Sequence, residues 1–493
     1  MNGPRSRRER LIALTALLLQ AAVLAALVAS HEMWRDEMQM WLLARDSGSL
    51  ADLWHNSRYD GHPLLWHLLV YPLAHTFSSP VALQVLHWAL AVAGAGVVLL
   101  RAPFALWVRV GLVFSYLPLY EYGAISRNYA LTTLGVWLAC AALAAARTPW
   151  PAVAGALVAA NASPMGIVLA PALAAAVALT PRWRRWRSWA LAALAAGVLL
   201  AAFQCLPPAD NERAGQWNLT WNVRLAAWLA RGFVTALVPI PRAVNEFWGS
   251  SVLFPSWPFN VKTGQAILTL AGPLVLGVVV LVARKVRRSQ RALAAWLLAF
   301  AGMTVLFYVK LPGTMRHFGF FWVALVAVAW IAAADGALGR RWCTWILAPT
   351  IVAGILGAAI AGAQEVRSPF SGARSAAAAI VTERLAGLPI VGGVDYASSA
   401  VAGYLPHGRL YYPSREAEGS FMIYDLARKR QDHLDQRELV AEALARDRGD
   451  GVVLILNEPI HSPAAPCRLF HQSRPAIVPD ETLYCYHCTA QRP

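Results

Sequence analysis

Twenty consecutive residues without a charge, 11 to 30, open the hydrophobic pattern of the chain, enough for one helix across a bilayer. Further apolar runs follow at about 81–100, 108–122, 129–146, 150–162, 165–180, 188–206, 265–283, 292–309, 317–334 and 344–362. With the first, they predict about eleven transmembrane helices. The stretch 63–76 is apolar but short, carries His67 and His75, and is cut by Pro72. It is expected to lie flat as an interfacial helix, with Trp66 and Tyr71 at headgroup level.

At about Gln364 the pattern turns into that of a soluble domain. Helices are expected over 371–386 and 434–445, and strands over 389–394, 408–412, 451–456 and 482–486. Helices alternating with apolar strands predict a small α/β domain over 364–493, after a membrane domain over 1–363. Gly392 and Gly393 lack the spacing of a nucleotide-binding loop.

Composition supports the membrane reading, since 58% hydrophobic and 14% charged residues do not suit an ordinary soluble globule. The net charge of +16 would suggest a nucleic-acid partner if it were spread evenly. Residues 365–493, however, carry 14 basic and 15 acidic side chains, so the excess lies wholly in the apolar part. Basic residues there read as cytoplasmic anchors, and no nucleic acid is expected.

The basic clusters are Arg5, Arg7, Arg8 and Arg10; Arg101 with Arg109; Arg147; Arg182, Arg184, Arg185 and Arg187; Arg284, Lys285, Arg287, Arg288 and Arg291; and Arg340 with Arg341. With 63–76 laid flat, all of them fall on one side. The expected topology has a cytoplasmic N-terminus and an extracytoplasmic C-terminal domain. The first run is too long for a signal-peptide core, and more spans follow it. An Ala-rich composition suggests a bacterial source, hence the inner membrane, and takes weight from the Asn218-Leu219-Thr220 sequon.

This topology puts four ionisable surfaces outside: the first loop, 31–80; the turn 121–129; the long loop 207–264; and the turn 310–318. Of the 12 acidic residues in 1–364, six (Glu32, Asp36, Glu37, Asp46, Asp52, Asp60) crowd into 31–63, which marks this loop as the chemical centre. Almost nothing titratable falls at mid-membrane depth, unlike ion-coupled transporters. Trp217, Trp221, Arg224, Trp228 and Arg231 recur at helical spacing and predict an interfacial helix, with a lipid-phosphate site as the alternative.

Cys485-Tyr486-His487-Cys488 could be half of a zinc site, but no second ligand pair is spaced for it. A disulfide from Cys467 to Cys485 or Cys488 is the expectation for an oxidising compartment.

Three motifs stand in order on the outer side: Trp34-Arg35-Asp36-Glu37, Tyr59-Asp60-Gly61-His62-Pro63, and Ser126-Arg127-Asn128-Tyr129-Ala130-Leu131. Over roughly residues 10–335 this layout resembles the GT-C superfamily. Its members include the protein O-mannosyltransferases and the lipid A aminoarabinose transferases, which use polyprenyl-phosphate sugars. The lipid A enzymes have Lys-Pro where this chain has His62-Pro63. The resemblance implies an inverting glycosyltransferase moving a sugar from a polyprenyl-phosphate donor to a glycan, lipid or protein acceptor. It names no cofactor and leaves a divalent metal open.

The chemistry points to the same residues. An acceptor hydroxyl must lose its proton as the new bond forms, which suits a positioned carboxylate: Asp36, with Glu37 in support and Asp60 as a further candidate. A leaving phosphate gathers charge that cations can face, so Arg127 and Arg316 with His317 are expected donor-phosphate residues, and the resemblance adds His62 and Tyr129 from its motifs. The plainer roles are helix-dipole acids for Asp36 and Glu37, headgroup anchors for Arg127, Arg316 and Tyr129, a cap for His62 and a solvated turn for Asp60. From other classes, a flippase or transporter of polyprenyl-linked sugars would also want outer arginines, and a non-catalytic membrane subunit would use the C-terminal domain for a partner.

Overall fold

The computed structural model describes residues 6–490 except 213, 255–259, 429–433 and 463–464; Arg5 lies outside the described residues. The chain is mostly helical, with one small C-terminal sheet. Among the described residues, seven helical segments are long and apolar enough to cross a membrane. They are α1 (Arg7–Ser30), α5 (Val81–Arg101), the segment Pro181–Gln204 that includes α10 (Arg187–Gln204), α12 (Val261–Val286), α13 (Gln290–Val309), α14 (Met315–Ala334) and α15 (Arg340–Arg367). Three expected spans are shorter: α7 (Tyr129–Ala145), α8 (Trp150–Ala162) and α9 (Pro164–Ala178).

The run 108–122 is not one helix. α6 (Leu106–Val113) stops, and a wider turn takes over across Leu117–Glu121 with Pro118 in it. Proline offers no N–H to continue the ladder, and such bulges carry side chains out of register. This break turns the segment 121–129 back across the end of the bundle.

α14 runs through the middle and is buried over nearly its whole length. α7 and α8 lie against each other so closely that a Cβ on Gly135 would stand 2.6 Å from the carbonyl oxygen of Gly155. Only glycine allows backbones this near, which brings the starts of α7 and α9 into line. α9 begins where Ser163 caps it, accepting from the N–H of Gly166 ahead of Pro164 in the first turn.

The basic clusters share one end of the bundle. Arg109 meets Glu9, Arg182 donates to the carbonyl of Leu143, and Arg291 reaches Thr180 Oγ1 and Asp335. Lys285 lies over the ring of Trp342 at 3.4 Å. The opposite end gathers His31, Tyr129, His317 and Glu365.

On that opposite end lie α2 (Arg35–Asp46), α3 (Leu50–Ser57) and α4 (Leu65–Thr76), the last being the short helix expected over 63–76. The long loop 207–264 departs from expectation. α11 (Val223–Leu237) starts only at Asn222, whose side chain caps it, so Trp217 and Trp221 precede the helix and do not share its stripe. The carbonyl of Pro239, just past α11, packs on Gly357 of α15.

α15 continues to Arg367, three residues past the expected boundary. Beyond it, α16 (Ala373–Thr382), β1 (Ile390–Gly392), β2 (Leu410–Tyr412), α18 (Gln436–Leu444), β4 (Val452–Leu456) and β6 (Tyr484–Cys488) match the expected elements. α17 (Asp395–Tyr404), β3 (Ala417–Gly419) and β5 (Cys467–Gln472) were not foreseen. The sheet order is β3-β2-β1-β4-β6-β5, parallel for β2-β1-β4 and antiparallel elsewhere. Cys467 pairs with Cys488 across β5 and β6, a disulfide closing 21 residues, and Cys485 is free and buried.

α2 joins the two parts. Met38, Trp41 and Leu42 sit in one apolar core with Ala376, Ile380 and Val401 of the C-terminal domain. Arg45 donates to the carbonyls of Ala402 and Gly408, and Gln39 exchanges two hydrogen bonds with the backbone of Met422. The helix that opens the acidic loop is thereby held from both sides.

Candidate functional site

Asp36 and Glu37 occupy the first turn of α2, and successive helical residues point about 100° apart. They therefore cannot share a target. Asp36 stays partly exposed and faces Arg316, while Glu37 turns inward and is fully buried.

Around Asp36 the structure assembles most of the expected residues. Arg316 Nη2 lies 2.8 Å from Asp36 Oδ2, and Arg127 donates to the carbonyl oxygen of the same residue. Arg127 Nη2 stands 3.5 Å from His62 Nε2. The other ring nitrogen of His62 donates to the carbonyl of Asp60 at 3.0 Å and lies 3.1 Å from its carboxylate, which leaves Nε2 as an acceptor facing the guanidinium. Asp36, Asp60, His62, Arg127 and Arg316 thus form one cluster, although they come from four separate places along the chain.

His317 and Tyr129 brace this cluster from below. The N–H of Thr314 donates to His317 Nδ1 at 3.0 Å, so the neutral ring carries its proton on Nε2 and donates to Tyr129 Oη at 3.2 Å. Both nitrogens of His317 are committed, and its direct contact with a phosphate, expected from sequence, does not fit this geometry. Tyr129 keeps its own hydroxyl proton for another acceptor.

The electrostatics follow from that packing. Burial works to raise the Asp36 carboxyl, but Arg316, Arg127 and Arg35 outweigh it and hold it below the usual carboxylate range. Asp60 is likewise held low against burial, chiefly by His62. Burial pushes His67, 4.0 Å from Asp60, down to about 4, so it stays neutral. Arg127 Nε and Arg316 Nε and Nη1 are buried without a hydrogen-bond partner. Buried N–H groups of this kind are costly unless a ligand or water completes them.

Glu37 does different work. One oxygen accepts from the N–H of Trp34 at 3.2 Å, closing the first turn of α2, and the other accepts from the N–H of Ser126. His31 Nε2 lies 2.8 Å from this carboxylate and His31 Nδ1 lies 3.0 Å from Glu365, which also accepts from Tyr120 at 2.6 Å. Burial opposes charge on His31, but the two carboxylates prevail and raise it to about 10. This buried chain ties α1, α2, the turn after α6 and α15 together. The pairing expected of Glu37 with Asp36 at the chemistry is replaced by a scaffold role.

Aromatic rings flank Arg316. Arg316 lies 5.1 Å from the ring centre of Trp34 and 5.6 Å from that of Trp248, and the two rings meet edge to face at 4.7 Å. Trp248 also donates to Glu121. Trp248 had no signal in the sequence, lying in the irregular part of the long loop. Glu365 had one, as a carboxylate in the last turn of an otherwise apolar helix. From the C-terminal domain Asp480 and Glu481 hold Arg35, at 2.7 and 3.6 Å, beside the first turn of α2.

Among the described residues no three His, Cys, Asp or Glu side chains converge as a metal site. Asp36 already faces Arg316 and Asp60 is held by His62, and no step below is routed through a metal. No protein family, no curated protein and no solved structure matches the chain.

Proposed function

We propose that the protein is an inverting glycosyltransferase that moves a sugar from a polyprenyl phosphate to an acceptor hydroxyl at the outer face of the bacterial inner membrane. The observation that carries this reading is the convergence of Arg127 and Arg316, with three buried and unpartnered N–H groups between them, on the half-buried carboxylate of Asp36. Two guanidinium groups suit a planar, bidentate hold on a phosphate. The carboxylate suits removal of a hydroxyl proton.

In the reaction the acceptor oxygen attacks the anomeric carbon from the face opposite the phosphate. The carbon–oxygen bond to phosphate breaks, the bond to the acceptor forms, and the hydroxyl proton passes to Asp36. Polyprenyl phosphate leaves with the charge, which Arg127, Arg316 and the Tyr129 hydroxyl meet. An arriving phosphate competes with Asp36 for both arginines. As they turn to the donor, the carboxylate regains basicity at the moment a base is required. Trp248, partly exposed beside Arg316, offers an apolar ring surface for the sugar.

The sidedness draws support from the gathering of all described basic clusters at the end of the bundle away from Asp36. The decisive measurement is consumption of polyprenyl-phosphate sugar by purified protein in nanodiscs with candidate acceptors. Release of polyprenyl phosphate with glycosylated acceptor is expected. Movement of intact donor between leaflets without consumption would replace the enzyme by a flippase.

A further inference from the structure

A groove of about 480 Å³ opens between α11, α12, α14 and α15, on the part of the bundle that leads away from Asp36. Its walls are apolar, including Leu237, Val278, Leu281, Trp345 and Ile346, and among the described residues Lys285 is the one charged side chain lining it. The groove begins at mid-length of the long helices, beside Leu274 and Pro349, and ends at Lys285 and Trp342, where α12 finishes and α15 starts. Around that end Arg284, Arg287, Arg288, Arg340 and Arg341 are exposed, and none pairs with a carboxylate among the described residues.

We infer that this groove holds an anionic phospholipid of the leaflet on the basic, cytoplasmic side, its acyl chain along the apolar wall and its phosphate on the Lys285 ammonium. Three features point to that occupant. A surface cleft between candidate spans with nearly all-apolar walls suits a hydrocarbon chain and offers little to a polar solute. The ammonium lies 3.4 Å over the Trp342 ring, so one face is held by the ring while its other protons remain for an acceptor. A ring of unpaired arginines favours a headgroup with net negative charge over a zwitterionic one. The site lies at the opposite end of the bundle from Arg127 and Arg316, which separates it from the proposed donor head. The inference rests on the membrane reading and is independent of glycosyl transfer.

Native mass spectrometry of the delipidated full chain, titrated with phosphatidylglycerol or phosphatidylcholine, tests it. One phosphatidylglycerol should bind at concentrations where phosphatidylcholine does not. Lys285→Gln should weaken binding by about tenfold, the size of one charge-assisted contact, and Lys285→Arg should restore it. Val278→Trp, which fills the groove, should reduce binding of either lipid. Equal binding of both lipids, or an unchanged affinity in Lys285→Gln, would overturn the proposal. Displacement of phosphatidylglycerol by polyprenyl phosphate at equal concentration would assign the groove to the donor tail instead. A failure of the membrane reading itself would show separately, as release of the chain from membranes by alkaline carbonate.

Discussion

Arg316 Nη2 sits 2.8 Å from Asp36 Oδ2, so the carboxylate read as a base is held by the cation read as a phosphate ligand. The pair couples the two halves of the proposed reaction. Asp36→Asn keeps the shape and most hydrogen bonding but cannot take a proton, and should lower turnover by roughly 10²-fold or more. Membrane insertion and donor binding should stay near normal. Full activity in this variant would exclude Asp36 as the base.

The same contact sets a pH dependence. Burial works to raise the Asp36 carboxyl, but Arg316 and Arg127 outweigh it and hold it below the ordinary carboxylate range, so its charge persists further into acid than that of an ordinary aspartate. In the free enzyme, Arg316→Gln should move the acid limb of kcat/KM upward, toward the ordinary carboxylate value of about 4. A limb that stays in place would show that another group sets it.

Arg127 and Arg224 offer a comparison of two arginines at the same end of the molecule. Arg127 is buried with an unpartnered Nε, whereas Arg224 is exposed at the start of α11. Arg127→Ala should weaken donor use by well over tenfold, and Arg224→Ala should change it little. Donor dependence of turnover in nanodiscs separates them. Equal effects would move the phosphate to the Trp/Arg segment 217–231.

His31 predicts how stability varies with pH. Its folded value of about 10 lies above the unfolded value of about 6.5, so its contribution is complete below about pH 6.5 and is lost as pH rises through about 10. Tm should fall across that window, and His31→Gln should flatten the fall. Glu37→Gln should cost about 3 kcal/mol in stability by breaking a buried pair, while lowering turnover less than Asp36→Asn does. A Glu37→Gln protein of unchanged Tm and no activity would return Glu37 to the chemistry.

Sidedness is checked by fusions. A reporter after Gln364 should be active outside the cytoplasm, and one near Arg109 inside it. An outside signal near Arg109 would invert the proposed placement of Asp36.

Hydropathy alone located every long apolar helix, because a helix that must be apolar over about twenty residues writes that requirement locally. The strands β1, β4 and β6 were legible for the same reason, as short apolar runs between turns. α17 was missed because DYASSAVAGY lacks a strong stripe and is helical through packing on α2 and α16. The break at Leu117–Glu121 was missed because an apolar run looks the same whether or not it is interrupted. Residue types and motif order singled out Asp36, Asp60, His62, Arg127, Arg316, Tyr129 and His317. Their meeting depends on the turns that bring α2, the loop before α4, the start of α7 and the start of α14 to one end. Asp36 and Glu37 look alike in sequence; the helix rotation between neighbours sends one to the arginines and the other to His31. Distances, burial and the partners of each charge arise between residues up to hundreds of positions apart, so the three-dimensional packing alone decided which carboxylate meets the arginines and which braces the scaffold.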